Sequence, residues 1–147
     1  MHPFDIKTAL MAKHAQHVVL IHFPIALFLC GTVFDFLAQW THKATLAAAA
    51  YYNLIVAAIM SLPVVITGIL AWRLQLEGQS LKGVLLQHLV LAVVSTVLIW
   101  LAWWLHFRAI RSERAVPSYR LAVEFAGVIT ITLAAHLGGF LSGVNLP

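Results

Sequence analysis

Apolar residues in this chain gather into four long runs separated by short polar stretches. The first is Val18 to Trp40, closed by Thr41-His42-Lys43. The second begins in the alanine-rich stretch near Ala47 and ends at Trp72-Arg73. The third is Val84 to Leu105, closed by His106-Phe107-Arg108, and the fourth runs from Leu121 to about Leu141. A bilayer core is crossed by about 20 apolar residues in helical form. Each run therefore predicts a membrane-spanning helix, over 18–40, 47–72, 84–105 and 121–141, within a single transmembrane domain covering 1–147. Only Gln75 to Gly83 and Ala109 to Tyr119 make sizeable connections. Short connections make sequential helices antiparallel neighbours. The expected fold is all-α, an integral membrane four-helix up-down bundle. Residues 3–17 mix polar and apolar positions and predict a short amphipathic helix on the membrane surface. Pro24 predicts that the first span either starts at Phe23 or kinks there, because proline suits a first turn and breaks a helix interior.

Composition strengthens this picture. Hydrophobic residues make up 62% of the 147 residues and charged residues 10%. Soluble domains hold about 45–50% and ~25%, so this chain cannot coat a water-facing globule. The net charge of +4 comes from nine basic residues spread along the chain, mostly at span ends. That is a membrane pattern and argues against nucleic-acid binding. Trp40, Trp72, Trp100, Trp103 and Trp104 lie at or near span ends, where an amphipathic ring prefers to sit. The single cysteine, Cys30, excludes an intrachain disulfide, a thiolate metal cage and c-type haem attachment. It is expected to be a small buried residue. The N-terminus lacks a basic segment running into an apolar core, so the first span is expected to be an uncleaved anchor. Lys7, Lys13, Arg73 and Lys82 share one side, and Lys43, Arg108, Arg111, Arg114 and Arg120 the other. The packed arginines place their loop in the cytoplasm, with both termini periplasmic.

Histidines carry the candidate chemistry, because ionisable groups inside a membrane are costly. Of eight, His2, His14, His42 and His106 fall at the N-terminus or at loop edges, where interfacial or solvated positions are expected. His22 lies a few residues into the first span, His88 a few into the third, and His136 a few before the end of the fourth. Spans one and three start from the same side, and span four ends there. At ~1.5 Å rise per residue the three imidazoles lie roughly 7 Å below one surface. His17 lies further out, at the rim.

Haem b suits such a set, since its iron takes axial imidazoles from facing helices of a bundle. Gly138 and Gly139, with Thr67 and Gly68 in span two, offer room for a macrocycle. Arg73, Lys82 and His17 are available for its propionates. Gly139 and Gly143 also stand in GxxxG spacing, which by itself lets helices approach closely. Copper or zinc is the alternative cofactor for the same histidines. Histidines that only bridge helices are a third reading.

Two carboxylates lie towards the opposite ends of the spans. Asp35 is near the end of span one, and Glu124 is one turn inside span four. Pairing with Arg108, Arg111, Arg114 or Arg120 is the simple expectation, and a proton path the sharper one. Both look too far from the histidine set for a joint catalytic site. The sequence contains no nucleotide-binding glycine loop, nucleophile elbow or zinc-protease motif.

His17-Val-Val-Leu-Ile-His22-Phe23-Pro24-Ile25-Ala26-Leu27 resembles the opening of a bacterial family of four-span predicted membrane proteins of unknown function. Its first span looks like His-Pro-x-x-x-His-Phe-Pro-Ile-Ala-Leu; here Val18 stands in place of the proline. Phe34-Asp35, Leu62-Pro63, Thr67-Gly68, His88 and the stretch from Gly138 to Leu141 are also similar. The resemblance covers roughly residues 15 to 145. Some family members are joined to cytochrome c domains, and by association the resemblance implies electron transfer.

These readings converge on a haem-binding module of a bacterial inner membrane, an electron carrier more than a stand-alone enzyme. His22 and His88 are the expected axial ligands, with His136 as substitute and His17 near a propionate. The expected partners are the lipid bilayer, a quinol, a periplasmic or membrane redox protein, and further subunits in an oligomer. A copper- or zinc-handling protein and a non-catalytic accessory subunit are the alternatives.

Overall fold

The computed structural model describes residues 15–74 and 76–143. The surface helix expected over 3–17 falls almost wholly outside them. Among the described residues there are four α-helices and no strand. They are α1 (Ala15–Thr41), α2 (Ala44–Leu74), α3 (Gly83–Arg111) and α4 (Arg120–Leu141). Each is long and apolar enough to cross a membrane. Each also runs somewhat beyond the span expected from its apolar run, most of all α3, which continues through His106 to Arg111.

Pro24 and Pro63 sit inside α1 and α2. The first helix therefore neither starts at Phe23 nor stops at Pro24; the proline leaves the Leu20 carbonyl without its usual partner four residues on. A two-residue turn joins α1 to α2, with His42 in the left-handed region at φ 56°. Gly143, at φ 79°, closes α4. There it serves as the left-handed residue after a helix end rather than as a packing glycine.

The helices pack mainly as two hairpins, α1 with α2 and α3 with α4. The hairpins meet through α2–α3 and α1–α4, and diagonal helices scarcely touch. The core is Phe28, Leu54, Ala57, Ala58, Ile99, Ala102 and Ile131. Small residues set its spacing. A Cβ at Gly127 would lie 2.6 Å from Phe28 Cζ, and one at Gly31 would lie 3.1 Å from Leu54 Cδ2. Trp100 and Trp103 pack against this core instead of standing in an interfacial belt. The Trp100 indole N–H donates to Ser61 Oγ across α2 and α3 at 3.1 Å. Cys30 is exposed, not buried as its size suggested. Val33, Ile66, Val97 and Phe125, one from each helix, are likewise exposed. Their natural solvent is lipid. Ser95, Thr96, Thr130 and Thr132 donate to carbonyls one turn back, which satisfies hydroxyls that lipid cannot.

Packing is uneven along the bundle. No residue is buried from 16 to 23 or from 62 to 74, nor among the described residues up to 94. At that end α4 contributes only Ala134 as a buried residue. The rest of the core lies from the middle to the end that holds Arg120. The loosely packed end carries the histidines.

Candidate functional site

The histidine end joins two imidazoles from different hairpins. His17, on α1, places Nδ1 3.1 Å from Thr67 Oγ1 of α2. The Thr67 hydroxyl donates to the carbonyls of Pro63 and Val64. Its oxygen therefore accepts from His17, and Nδ1 carries the proton. His88, on α3, donates from Nδ1 to the Ala134 carbonyl of α4 at 2.9 Å. Both rings thus keep Nε2 as the lone-pair nitrogen. The two rings are close enough to interact electrostatically. Each lies against a glycine. A Cβ at Gly68 would stand 3.0 Å from His17 Cε1, and one at Gly138 would stand 3.2 Å from His88 Cε1.

His22 and His136 are placed differently. His22 is exposed and donates from Nδ1 to Val18 O of its own helix at 2.7 Å. His136 is exposed and meets Phe140 edge-on, with ring centroids 5.0 Å apart. Gly139 is half-buried. The structure therefore sets His17 against Gly68 and His88 against Gly138, one pair in each hairpin, while His22 and His136 lie on outer faces.

A second group forms at the other end. Asp35 of α1 receives Arg120 of α4 through Nε–Oδ2 at 2.6 Å and Nη2–Oδ1 at 3.3 Å. Arg120 Nη2 also donates to Gln39 Oε1 at 2.8 Å. His106 of α3 donates from Nε2 to Glu124 Oε1 of α4 at 3.0 Å, and the same nitrogen is 3.9 Å from Asp35 Oδ1. Asp35, His106, Arg120 and Glu124 are all buried, Glu124 completely. One arginine and one carboxylate cancel. The remaining His–Glu pair is neutral as a unit while it holds one proton. Asp35, His106 and Glu124 bring ligand atoms within 4.8 Å of one another, yet Arg120 already supplies the cation that Asp35 binds.

A pocket of about 220 Å³ leads to this group, lined in part by Gln39, His42, Ala47, Ala115 and Val116. Asp35, His106 and Arg120 form the rest of its wall. The position expected for His106, solvated at a loop edge, is corrected: it is a buried centre of this network. Asp35 and Glu124 do stand apart from His17, His22, His88 and His136, as expected; the histidine beside them is His106. Of the four arginines offered to Asp35, Arg120 is the partner.

Residues 13–144 match the family described as Predicted membrane protein (DUF2231). The chain belongs to this family. No curated protein and no solved structure matches it. The DUF2231 match takes in both sites, from His17 to Gly138 and from Asp35 to Glu124. Membership makes this a membrane protein, and the four apolar helices supply its spans.

The signal for His106 was present in the sequence. Asp35 and Glu124 lie towards the same end of their spans, and buried carboxylates call for basic groups at their own depth. His106 stands at that depth on α3.

Proposed function

We propose that this four-span membrane protein is a one-electron carrier that holds haem b at its histidine end, with His17 and His88 as axial ligands. One observation carries the reading. Each hairpin turns one imidazole inward at the end where the bundle is loosely packed, and each spends Nδ1 on a hydrogen bond that leaves Nε2 for a metal. Such a bond fixes the tautomer and the ring orientation of a ligating histidine. His22, the ligand expected beside His88, faces outward and is the first substitute.

The donor set favours haem over a bare ion. Among the described residues the inward donors at this end are two imidazoles and a hydroxyl, short of the four ligands a structural zinc takes. Haem brings four nitrogens of its own and needs only the axial pair. When bound it supplies one-electron capacity. The chain's part is to hold the two rings, keep their lone pairs aligned, and exclude water with the apolar walls of α1 and α3. Arg73 and Lys82 stand at this end, where propionates would emerge.

In this reading the protein sits in a bacterial inner membrane with its histidine end towards the periplasm. Pairing with Asp35 removes Arg120 from the free charges of its loop. Arg108, Arg111 and Arg114 remain exposed within seven residues, and that density supports a cytoplasmic loop. A quinol or a membrane redox protein would donate the electron, and a periplasmic acceptor would take it.

The test is an absorption spectrum of the purified full chain, oxidised and then dithionite-reduced. A b-type spectrum is expected, lost or converted to high spin in His17→Ala and in His88→Ala and kept in His22→Ala. A featureless spectrum from cells supplied with haem overturns the proposal and directs attention to copper or zinc analysis. An unchanged spectrum in both ligand variants overturns the assignment.

A further inference from the structure

The buried network at the Arg120 end has no part in holding haem, and its geometry suits another task. Its pocket reaches from the bundle end to His106. Its volume of about 220 Å³ is many times the ~10–15 Å³ that one water requires. The walls offer polar groups that would bind them: Gln39, His42 and the two buried ion-pair members Asp35 and Arg120. Past the pocket, His106 donates from Nε2 to Glu124 Oε1. Its Nδ1 makes no hydrogen bond among the described residues, and the ring lines the pocket.

Glu124 supplies the second, independent observation. Its other oxygen, Oε2, is buried without a hydrogen-bond partner among the described residues. So are Thr32 Oγ1 and Trp103 Nε1. Thr32 stands one turn from Asp35, and Trp103 one turn from His106, both towards the bundle centre. Such orphaned polar atoms on α1, α3 and α4 are where internal water is expected, since buried polar groups rarely go unsatisfied. The charges close enough to act on Glu124 are Asp35, His106 and Arg120. From α2 no charged side chain joins them among the buried residues.

We propose that this is a proton-exchange site: water in the pocket delivers protons to His106, which passes them to Glu124 inside the membrane. The balance is simple. A hydronium in the pocket gives a proton to Nδ1 and is left as water, and the proton on Nε2 moves to the Glu124 carboxylate at Oε1. One positive charge moves inward, no heavy atom crosses, and the ring is left as its other tautomer. The reverse transfer restores it. The Asp35–Arg120 pair stays closed throughout and holds the pocket wall in place. An ordinary structural ion network needs no route to water and leaves no carboxylate oxygen unpartnered; this one has both features.

The proposal does not rest on the haem reading, and its test is independent of haem. The full chain, ¹⁵N-labelled at histidine and set in lipid nanodiscs, is examined by magnetisation transfer from water to the His106 ring N–H. Transfer is expected in the wild type. Ala115→Trp, which narrows the pocket mouth and touches none of the four ionisable groups, is expected to slow it tenfold or more. His88→Ala at the far end is expected to leave it unchanged. Glu124→Gln is expected to abolish a carboxyl carbonyl band that shifts on transfer into D₂O. Glu124→Asp is expected to retain one, which separates loss of the acid from loss of fold. Exchange as slow as that of core amides overturns the proposal. So does a rate that Ala115→Trp leaves untouched, or an infrared spectrum without a Glu124 band.

Discussion

Removing the Asp35 carboxylate is the sharpest test of how α1 and α4 are held together. In the wild type Asp35 is 3% exposed and Arg120 5%. The guanidinium spends Nε and Nη2 on the two carboxylate oxygens at 2.6 and 3.3 Å. Asp35→Ala leaves Arg120 with Gln39 at 2.8 Å and two long contacts, to the Val116 and Pro117 carbonyls at 3.5 and 3.4 Å. A buried cation without its counter-charge costs about 3–5 kcal/mol. At ~1.4 kcal/mol per factor of ten, the folding constant should fall by roughly two to three and a half orders of magnitude. The double variant Asp35→Leu/Arg120→Met removes both charges and keeps the volume filled. Replacing a buried pair by apolar groups is often neutral or stabilising. The His106–Glu124 pair remains neutral as a unit, so the double variant should lie within about 1 kcal/mol of wild type or above it. The assay is reversible denaturation in mixed micelles followed by tryptophan fluorescence, with Trp100 and Trp103 packed on the core as reporters. A loss under about 1 kcal/mol in Asp35→Ala would refute the reasoning, since breaking a buried pair costs more. So would a double variant as unstable as the single one.

Three further outcomes follow from the packing and the sites. Gly127→Ala drives a methyl to 2.6 Å from Phe28 Cζ and should cost about 1–3 kcal/mol in the same assay, as overpacking does. Ser61→Ala removes the acceptor of the Trp100 indole N–H; a loss of roughly 1–3 kcal/mol for the orphaned donor and a blue-shifted Trp100 emission are expected. Thr67→Val removes the acceptor at His17 Nδ1. In a haem-loaded protein it should raise the midpoint potential by tens of mV, because a less basic imidazole stabilises the oxidised iron less. Redox titration checks this, and an unchanged potential would argue against His17 as a ligand.

The spans were legible because bilayer thickness sets their length, and a run of about 20 apolar residues has few other uses. Their ends were not. An apolar run is closed by its first polar residues, yet α3 continues through His106 to Arg111. It does so because His106 is buried on Glu124, while Arg108 and Arg111 lie over the Trp104 and Phe107 rings at 5.3 and 5.9 Å. Depth could be counted along each run, and depth placed Asp35 and Glu124 at one end and the histidines at the other. Which way each histidine points was harder to read. His17 and His22 are five residues apart on one helix, and at ~3.6 residues per turn their side chains diverge by about 140°. Both cannot face the bundle axis. The structure turns His17 inward to Thr67 and leaves His22 exposed. The Asp35–Arg120 pairing joins residues 85 positions apart, and no local pattern names that arginine among its three neighbours.

The two sites lie at opposite ends of one bundle, and that separation limits how strongly they can act on each other. Eighteen residues of α1 part His17 from Asp35, and eighteen of α3 part His88 from His106. At ~1.5 Å per residue that is roughly 27 Å, close to the thickness of a hydrocarbon core. Phe28, Leu54, Ile99 and Ile131 fill much of the space between, and the buried Ser61 and Ser95 hydroxyls donate to carbonyls of their own helices, which breaks any relay across the core. An electron at one end and a proton at the other therefore interact only through space. With an effective dielectric of about 20, two unit charges at ~27 Å couple by about 0.6 kcal/mol. At ~59 mV per factor of ten for one electron, this is about 25 mV. A haem at His17 and His88 should show a midpoint potential that Glu124→Gln changes by no more than about this amount. Redox titrations of wild type and Glu124→Gln at two pH values measure it. A difference several times larger would mean that the dry core is crossed by a polar path, and the picture of two insulated ends would fall.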